Sequence, residues 1–182
     1  MTICPEDRAT LVALARAAVE AEVTGGGRVT IDNPDGVLAE RLGCFVTLTN
    51  EGRLRGCIGT FVAQGPLVRT VVEMGSAAAR DPRFFSNPIT PGELGELRVE
   101  VSVLSQLTET DAPEKLALGK HGIYIVCGGQ SGCFLPEVAT DMGWSVQEFL
   151  DNCCTHKAAL PPGAWRDKDT KVYLFTSEKF DH

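Results

Sequence analysis

CFVTLTNEGRLRGCIGTF, residues 44–61, consists of two β-rich runs around Asn50-Glu51-Gly52-Arg53. A short polar turn containing glycine between two such runs is the signature of a β-hairpin. The second run places Cys57 between Gly56 and Ile58, with Gly59 and Thr60 following and Arg55 two residues earlier. A strand interior disfavours glycine, which packs nothing and costs backbone entropy, so two glycines around one thiol point to close approach of another backbone or of a ligand. On a regular strand Arg55 shares a face with Cys57. A guanidinium there could favour the thiolate or hold a carboxylate or phosphate through two parallel hydrogen bonds. A small buried apolar residue is the competing reading of the cysteine.

Outward from this hairpin, residues 5–23 read as an amphipathic helix. Pro5 suits the first helical position, Glu6 and Asp7 suit the positive end of the dipole, and Gly25-Gly26-Gly27 ends it. Pro66 opens a second helix that runs to about Arg80 and stops before Pro82. In Leu97–Val103, apolar residues alternate with Arg98, Glu100 and Ser102, which predicts a half-buried antiparallel strand. Residues 122–135 form a second hairpin around Gly128–Gly132, and Ser145 with Glu148 is a capping box that starts a helix to about Cys154. Pro161-Pro162-Gly163 breaks the chain, and residues 171–180 give the last strand. Hairpins alternating with single helices predict an α+β fold with mainly antiparallel sheets rather than a βαβ rhythm. The turn-rich stretch Pro82–Pro91 is the expected lobe boundary.

The chain has 182 residues, of which 23% are charged and 43% hydrophobic. This is ordinary for a globular protein able to bury roughly 70% of its unfolded surface. Seventeen basic against 24 acidic residues give a formal charge of −7. No lysine or arginine run occurs, which argues against generalised nucleic-acid or anionic-membrane binding. The charge-interrupted start and short apolar runs predict neither a signal peptide nor a membrane span, so a cytoplasmic setting is expected. Seven cysteines, an odd number, favour free thiols over a disulfide framework. Neither His121, Cys127 and Cys133 nor Cys153-Cys154-Thr155-His156 has a common zinc spacing, so no metal and no cofactor is expected.

Further candidates lie outside the hairpin. His121 sits in a tight turn between Gly119 and Gly122, where it could act as base to a cysteine or simply brace the turn. Asp81 and Arg83, at a helix exit, could form a site or a helix-ending salt bridge. Glu137 follows Pro136 after an apolar run, which suits either a helix start or a site carboxylate.

The stretches LRGCIGTF, AAARDPRF, VEVSVLSQ, GKHGIYI, FLPEVATDMGW, EFL and KAALPPGAW, in this order, resemble the AMMECR family. The likeness spans residues 5–180 as a single AMMECR-type domain. The resemblance implies two α+β lobes, with helices flanking the sheets and a cleft between the lobes. The larger lobe would come from both chain ends and the smaller from the middle of the chain. Arg55, Cys57, Asp81, Arg83, His121 and Glu137 would line the cleft. The sequence departs from the family pattern at Ala159, where many members have glycine, and at Cys44, where a small residue is common. Prokaryotic members belong to an AmmeMemoRadiSam system with a Memo-like protein and a radical S-adenosylmethionine enzyme, which are therefore the implied partners.

No settled activity comes with the resemblance, so two readings stand. One is a binding or accessory module whose cleft holds a small anionic or peptide ligand, with Arg55, Gly56, Gly59, Thr60, Asp81 and Arg83 as binding residues. The other is a cysteine-dependent transferase or hydrolase with Cys57 as nucleophile, His121 as base and Glu137 orienting that base.

Overall fold

The computed structural model describes residues 2–27, 29–31 and 33–181, and the chain divides into two compact units. The first comprises residues 1–104 and 178–182, the second residues 105–177. The division falls at Leu104/Ser105 rather than in the Pro82–Pro91 stretch. That stretch is instead drawn into the first unit as short 3-10 turns at Pro82–Phe84 and Pro91–Glu93. Its prolines serve compact turns within the first unit, so turn composition alone misplaced the boundary.

In the first unit, helix α1 spans Pro5–Thr24. It stops because Gly25 adopts the left-handed conformation and returns its N–H to the Ala21 carbonyl. Strands β1 (Cys44–Asn50) and β2 (Arg53–Thr60) form the expected hairpin. Glu51 and Gly52, its two loop residues, both have positive φ, as the tightest hairpin turn requires. Helix α2 (Leu67–Ala79) follows, then β3 (Arg98–Leu104), and the chain returns at its far end with β8 (Ser177–Asp181). The sheet order is β2-β1-β3-β8, with β1 antiparallel to both β2 and β3. Val46, Leu48, Val99, Val101 and Val103 point to one face and are fully buried with Leu11, Ala15, Leu67 and Val71 of the two helices. The helices touch closely, since a Cβ on Gly75 of α2 would lie 2.9 Å from the Ala15 carbonyl oxygen of α1. Strand β8 is fastened by ion pairs of Arg8 with Glu178, Arg98 with Asp181, and Lys179 with Glu100. Glu178 also accepts from the Ile3 N–H.

The second unit holds β4 (Thr108–Glu109), β5 (Gly122–Cys127), β6 (Gln130–Phe134), helices α3 (Pro136–Met142) and α4 (Val146–His156), and β7 (Lys171–Phe175). All pairings in the order β4-β7-β5-β6 are antiparallel. Ile123, Ile125, Phe134, Phe149, Leu150, Cys153 and Val172 form its core. Phe149 stacks on Phe134, with ring centroids 5.7 Å apart. The run expected to be one final strand, residues 171–180, is two strands, β7 and β8, in different sheets. The two strands are continuous in sequence apart from Thr176, so composition gives no sign of the break.

Ala159, just beyond α4, has φ +54. This left-handed conformation costs a side-chain-bearing residue about 1–2 kcal/mol, which a glycine there would avoid. Glycine's larger unfolded-state entropy takes back about 0.5–1 kcal/mol. Ala159→Gly is therefore expected to stabilise the protein by up to about 1 kcal/mol, read as an increase in the denaturation midpoint with an unchanged denaturant slope.

Candidate functional site

Strand β2 is an edge strand, and the position of Cys57 on it follows from an irregularity in register. Thr49 pairs with Leu54 and Leu48 with Gly56, which leaves Arg55 as an extra residue in a bulge. Without the bulge, Cys57 would oppose Val46 and point into the core. With it, Cys57 opposes Thr47 and points to the other face of the sheet, while Arg55 and Gly56 both lie against the buried Leu48. The expected shared face of Arg55 and Cys57 is thus overturned by one inserted residue.

Arg55 is 8% exposed and its charge is answered inside the fold. Its Nε donates to Glu93 at 3.1 Å, and its Nη2 donates to Glu93 and to the Pro88 carbonyl, both at 3.2 Å. Glu93 also accepts from the Thr90 N–H at 2.9 Å, closing a capping box. These bonds, from the Thr90 backbone first and Arg55 second, hold the Glu93 carboxyl below the usual glutamate range. Gly56 is required because a Cβ there would lie 2.1 Å from the Ala78 carbonyl oxygen of α2. At Gly59 the space is taken by the ring of Phe45, 2.2 Å from a Cβ. Both glycines serve close approach of protein to protein. Thr60 turns its hydroxyl into a local exchange with Val62, accepting from its N–H and donating to its carbonyl.

At Cys57 the outward-facing backbone groups of the edge strand are both occupied by side chains from the exit of α2. Its N–H donates to Asp81 Oδ2 at 2.9 Å, and its carbonyl accepts from Arg83 Nη2 at 3.1 Å. Asp81 and Arg83 are themselves joined, Nη2 to Oδ2 at 2.5 Å and Nε to Oδ1 at 3.0 Å. The Asp81 carboxylate also accepts from the Arg83 N–H. The pair supplies one donor and one acceptor, the two groups that a neighbouring strand would have offered Cys57. The Asp81 side chain is 1% exposed, and that of Arg83 is 58% exposed. The Arg83 hydrogen bonds hold the Asp81 carboxyl well below the usual aspartate range, against the opposing effect of burial. The Asp81 partnership in turn raises the Arg83 guanidinium.

Because the N–H and C=O of Cys57 point away from β1, Cys57 and Thr47 form a non-hydrogen-bonded pair, the kind whose side chains lie closest. The Thr47 hydroxyl donates to the Cys57 sulfur at 3.3 Å.

His121 and Glu137 lie in the second unit. His121 Nδ1 accepts from the Ala117 N–H at 3.1 Å, and the His121 N–H donates to the Ala117 carbonyl at 2.9 Å. The imidazole is a brace for its own turn. Glu137 occupies the first turn of α3, and its carbonyl accepts from the Thr140 hydroxyl. The structure thus gathers Cys57, Asp81 and Arg83 around one backbone rung and sets Arg55 behind it with Glu93. Thr47 and Glu93 were not foreseen. Glu93 was readable from the capping-box spacing of Thr90-Pro91-Gly92-Glu93, whereas Thr47 depended on the bulge. Among the described residues, no group of three or more His, Cys, Asp or Glu side chains is disposed to hold a metal ion, and no helix is long and apolar enough to cross a membrane.

Comparison with known proteins agrees with this architecture. The AMMECR1 family model matches residues 12–180, and the chain belongs to that family. A protein of Methanothermobacter thermautotrophicus is 41% identical, over 94% of this chain and 92% of the relative. A protein of Thermococcus kodakarensis is 44% identical, over 94% and 88%. The crystal structure of an uncharacterized protein from Pyrococcus horikoshii superposes with a TM-score of 0.82 at 38% identity, covering 94% of this chain and 89% of that one.

The electrostatics of the edge rung predict an acid limb of stability. Asp81 is held low in the folded state, so its contribution is complete above the unfolded aspartate value near 4 and is lost as pH falls through the depressed folded value. Wild-type stability should therefore decline below about pH 4 more steeply than that of Asp81→Asn, which starts lower but lacks this titration. Urea midpoints collected across the acid range measure the difference.

Proposed function

We propose that this chain is a non-catalytic binding module of the cytosol. The surface around Cys57 and Arg83 holds a small anionic or peptide ligand for partner enzymes of a modification pathway. A Memo-like protein and a radical S-adenosylmethionine enzyme are the proposed partners. The observation that carries this reading is the state of His121. A neutral imidazole whose Nδ1 accepts from a backbone N–H keeps its own proton on Nε2. This bond engages His121 in its own turn and supports the bracing role over that of a general base for a Cys57 nucleophile.

The two guanidinium groups support the same reading in different ways. Arg55 is engaged by Glu93 and serves the fold. Arg83 uses Nε and Nη2 internally and, being more than half exposed, presents the rest of its charged fork outward, where an oxyanion or peptide carbonyl could meet it.

The alternative, a cysteine-dependent transferase or hydrolase, draws on the Thr47 hydroxyl at the Cys57 sulfur. Complementation separates the two. In a host in which deleting the gene gives a phenotype, Cys57→Ser and His121→Ala should both restore function close to the wild-type level. Arg83→Ala should not, even where circular dichroism and melting show it folded. A folded Cys57→Ser variant with no function would instead make the thiol the reacting group and establish the enzyme reading.

A further inference from the structure

Helix α2 carries a polar stripe along its side. Arg69, Glu73, Ser76 and the C-cap Arg80 follow one another at helical spacing, so they share a face about three turns, or roughly 16 Å, long. The stripe is one wall of an open cavity of about 890 Å³ within the first unit. The end of α1, with Ala21 and Glu22, and the segment that follows it, with Val29 and Ile31, supply the other walls. A volume of this size falls in the range of about 300–1,000 Å³ that ligand sites occupy.

An arginine–glutamate pair stands toward each end of the stripe. Arg69 Nε donates to Glu73 at 2.8 Å, and Arg80 Nε lies 3.1 Å from the Glu22 carboxylate on α1. The two arginine side chains are 67% and 65% exposed, and each engages its glutamate through Nε, which leaves the Nη groups for another acceptor. Ala21, Val29, Ile31 and Val72 make the cavity partly apolar. Val29 and Ile31 line it while exposed Thr30 does not, which is the alternation of an extended chain. Among the described residues, no hydrogen bond reaches the backbone of residues 29–31.

A guanidinium beside a carboxylate offers a donor and an acceptor together, which is what the C=O and N–H of a peptide backbone require. The chain already makes this match at Cys57, where Arg83 and Asp81 take the carbonyl and the N–H of one residue. We infer that the cavity binds an extended, uncharged peptide segment of a partner protein. Its backbone amides bond to the two arginine–glutamate pairs, and its small apolar side chains rest on Val29, Ile31 and Val72. At about 3.3 Å per residue, roughly five residues span the stripe. The charged lining residues among those described balance, two against two, so the cavity suits an uncharged backbone better than a free ion. The main chain supplies affinity in such a mode, and the size of alternate side chains supplies selection. Neither Cys57 nor Arg83 lines this cavity, so the inference does not depend on the role proposed for their surface.

The test is an NMR titration of the full isotope-labelled chain with the capped peptide acetyl-Ala-Val-Ala-Val-Ala-amide. Saturable shifts should appear at residues 25–31 and along α2 from Arg69 to Arg80. Methylating the two valine N–H groups of the peptide should weaken binding by about tenfold or more, the scale of a hydrogen bond to a charged acceptor. Arg80→Ala should weaken it by a similar factor with little change in melting temperature, because exposed ion pairs contribute little to folding. Should that variant melt early, Arg69→Ala, whose pair lies within one helix, carries the same expectation. Ser76→Trp places a large side chain in the stripe and should abolish the shifts. No saturable shift at the cavity overturns the inference. Equal binding of the N-methylated peptide also overturns it, because apolar adsorption would then suffice. Equal saturable shifts with inorganic phosphate would make the cavity an anion site instead. Shifts that grow with protein concentration and without peptide would make a second copy of this chain the occupant, which overturns it as well.

Discussion

The first unit depends on the Asp81 carboxylate. An edge strand exposes unsatisfied N–H and C=O groups, and β2 is such a strand at the residue the sequence makes conspicuous. Asp81 and Arg83 answer both groups with side chains, as a one-rung substitute for a fifth strand. The arrangement requires a nearly inaccessible carboxylate, which is tolerable because every contact it makes is to a donor and one of those donors carries a full charge. The exit of α2, the edge of the sheet and the backbone of Cys57 are thereby a single hydrogen-bonded object. Gly56 lets that helix and strand approach closely.

Much of this was legible in the residues. Helix α1, the Asn50–Arg53 hairpin, the alternation of β3 and the capping box at Ser145 each rest on local chemistry that the structure repeats. The two glycines around Cys57 rightly signalled close approach, although what approaches is an α2 carbonyl and a phenylalanine ring. The orientation of Arg55 relative to Cys57 was not legible. Strand alternation has a period of two, so a single inserted residue exchanges the faces, and nothing in the composition of LRGCIGT marks the insertion. The break between β7 and β8 was hidden for a similar reason, because both halves are acceptable strand sequence and only their sheet partners differ.

Charge was the other quantity the sequence could not assign. Arg55, Arg83 and His121 all belong to residue types suited to a site, and each has a partner within its own unit. For Arg55 the partner lies 38 positions away, at Glu93. For Arg83 and His121 it lies two and four positions away. Short-range partners can be guessed from spacing, and both were among the alternatives for those residues. A pair separated by a helix and two turns becomes visible only when the chain is folded.

The placement of β8 bears on how the molecule is made. Ile3 bonds to Glu178 across 175 positions, and the strand carrying Glu178 completes a sheet begun by residues 44–60. On the ribosome, the second unit is synthesised in full before that strand emerges. The first unit must therefore wait with β3 as an open edge, while Ser105–Ser177 can already collapse on the core of Ile123, Ile125 and Phe149. Order of synthesis and order of completion are thus inverted, since the unit begun first is closed last. During that interval the nascent chain shows an open outer edge of β3 that carries Arg98 and Glu100, whose charges discourage pairing with other chains until Asp181 and Lys179 arrive to meet them.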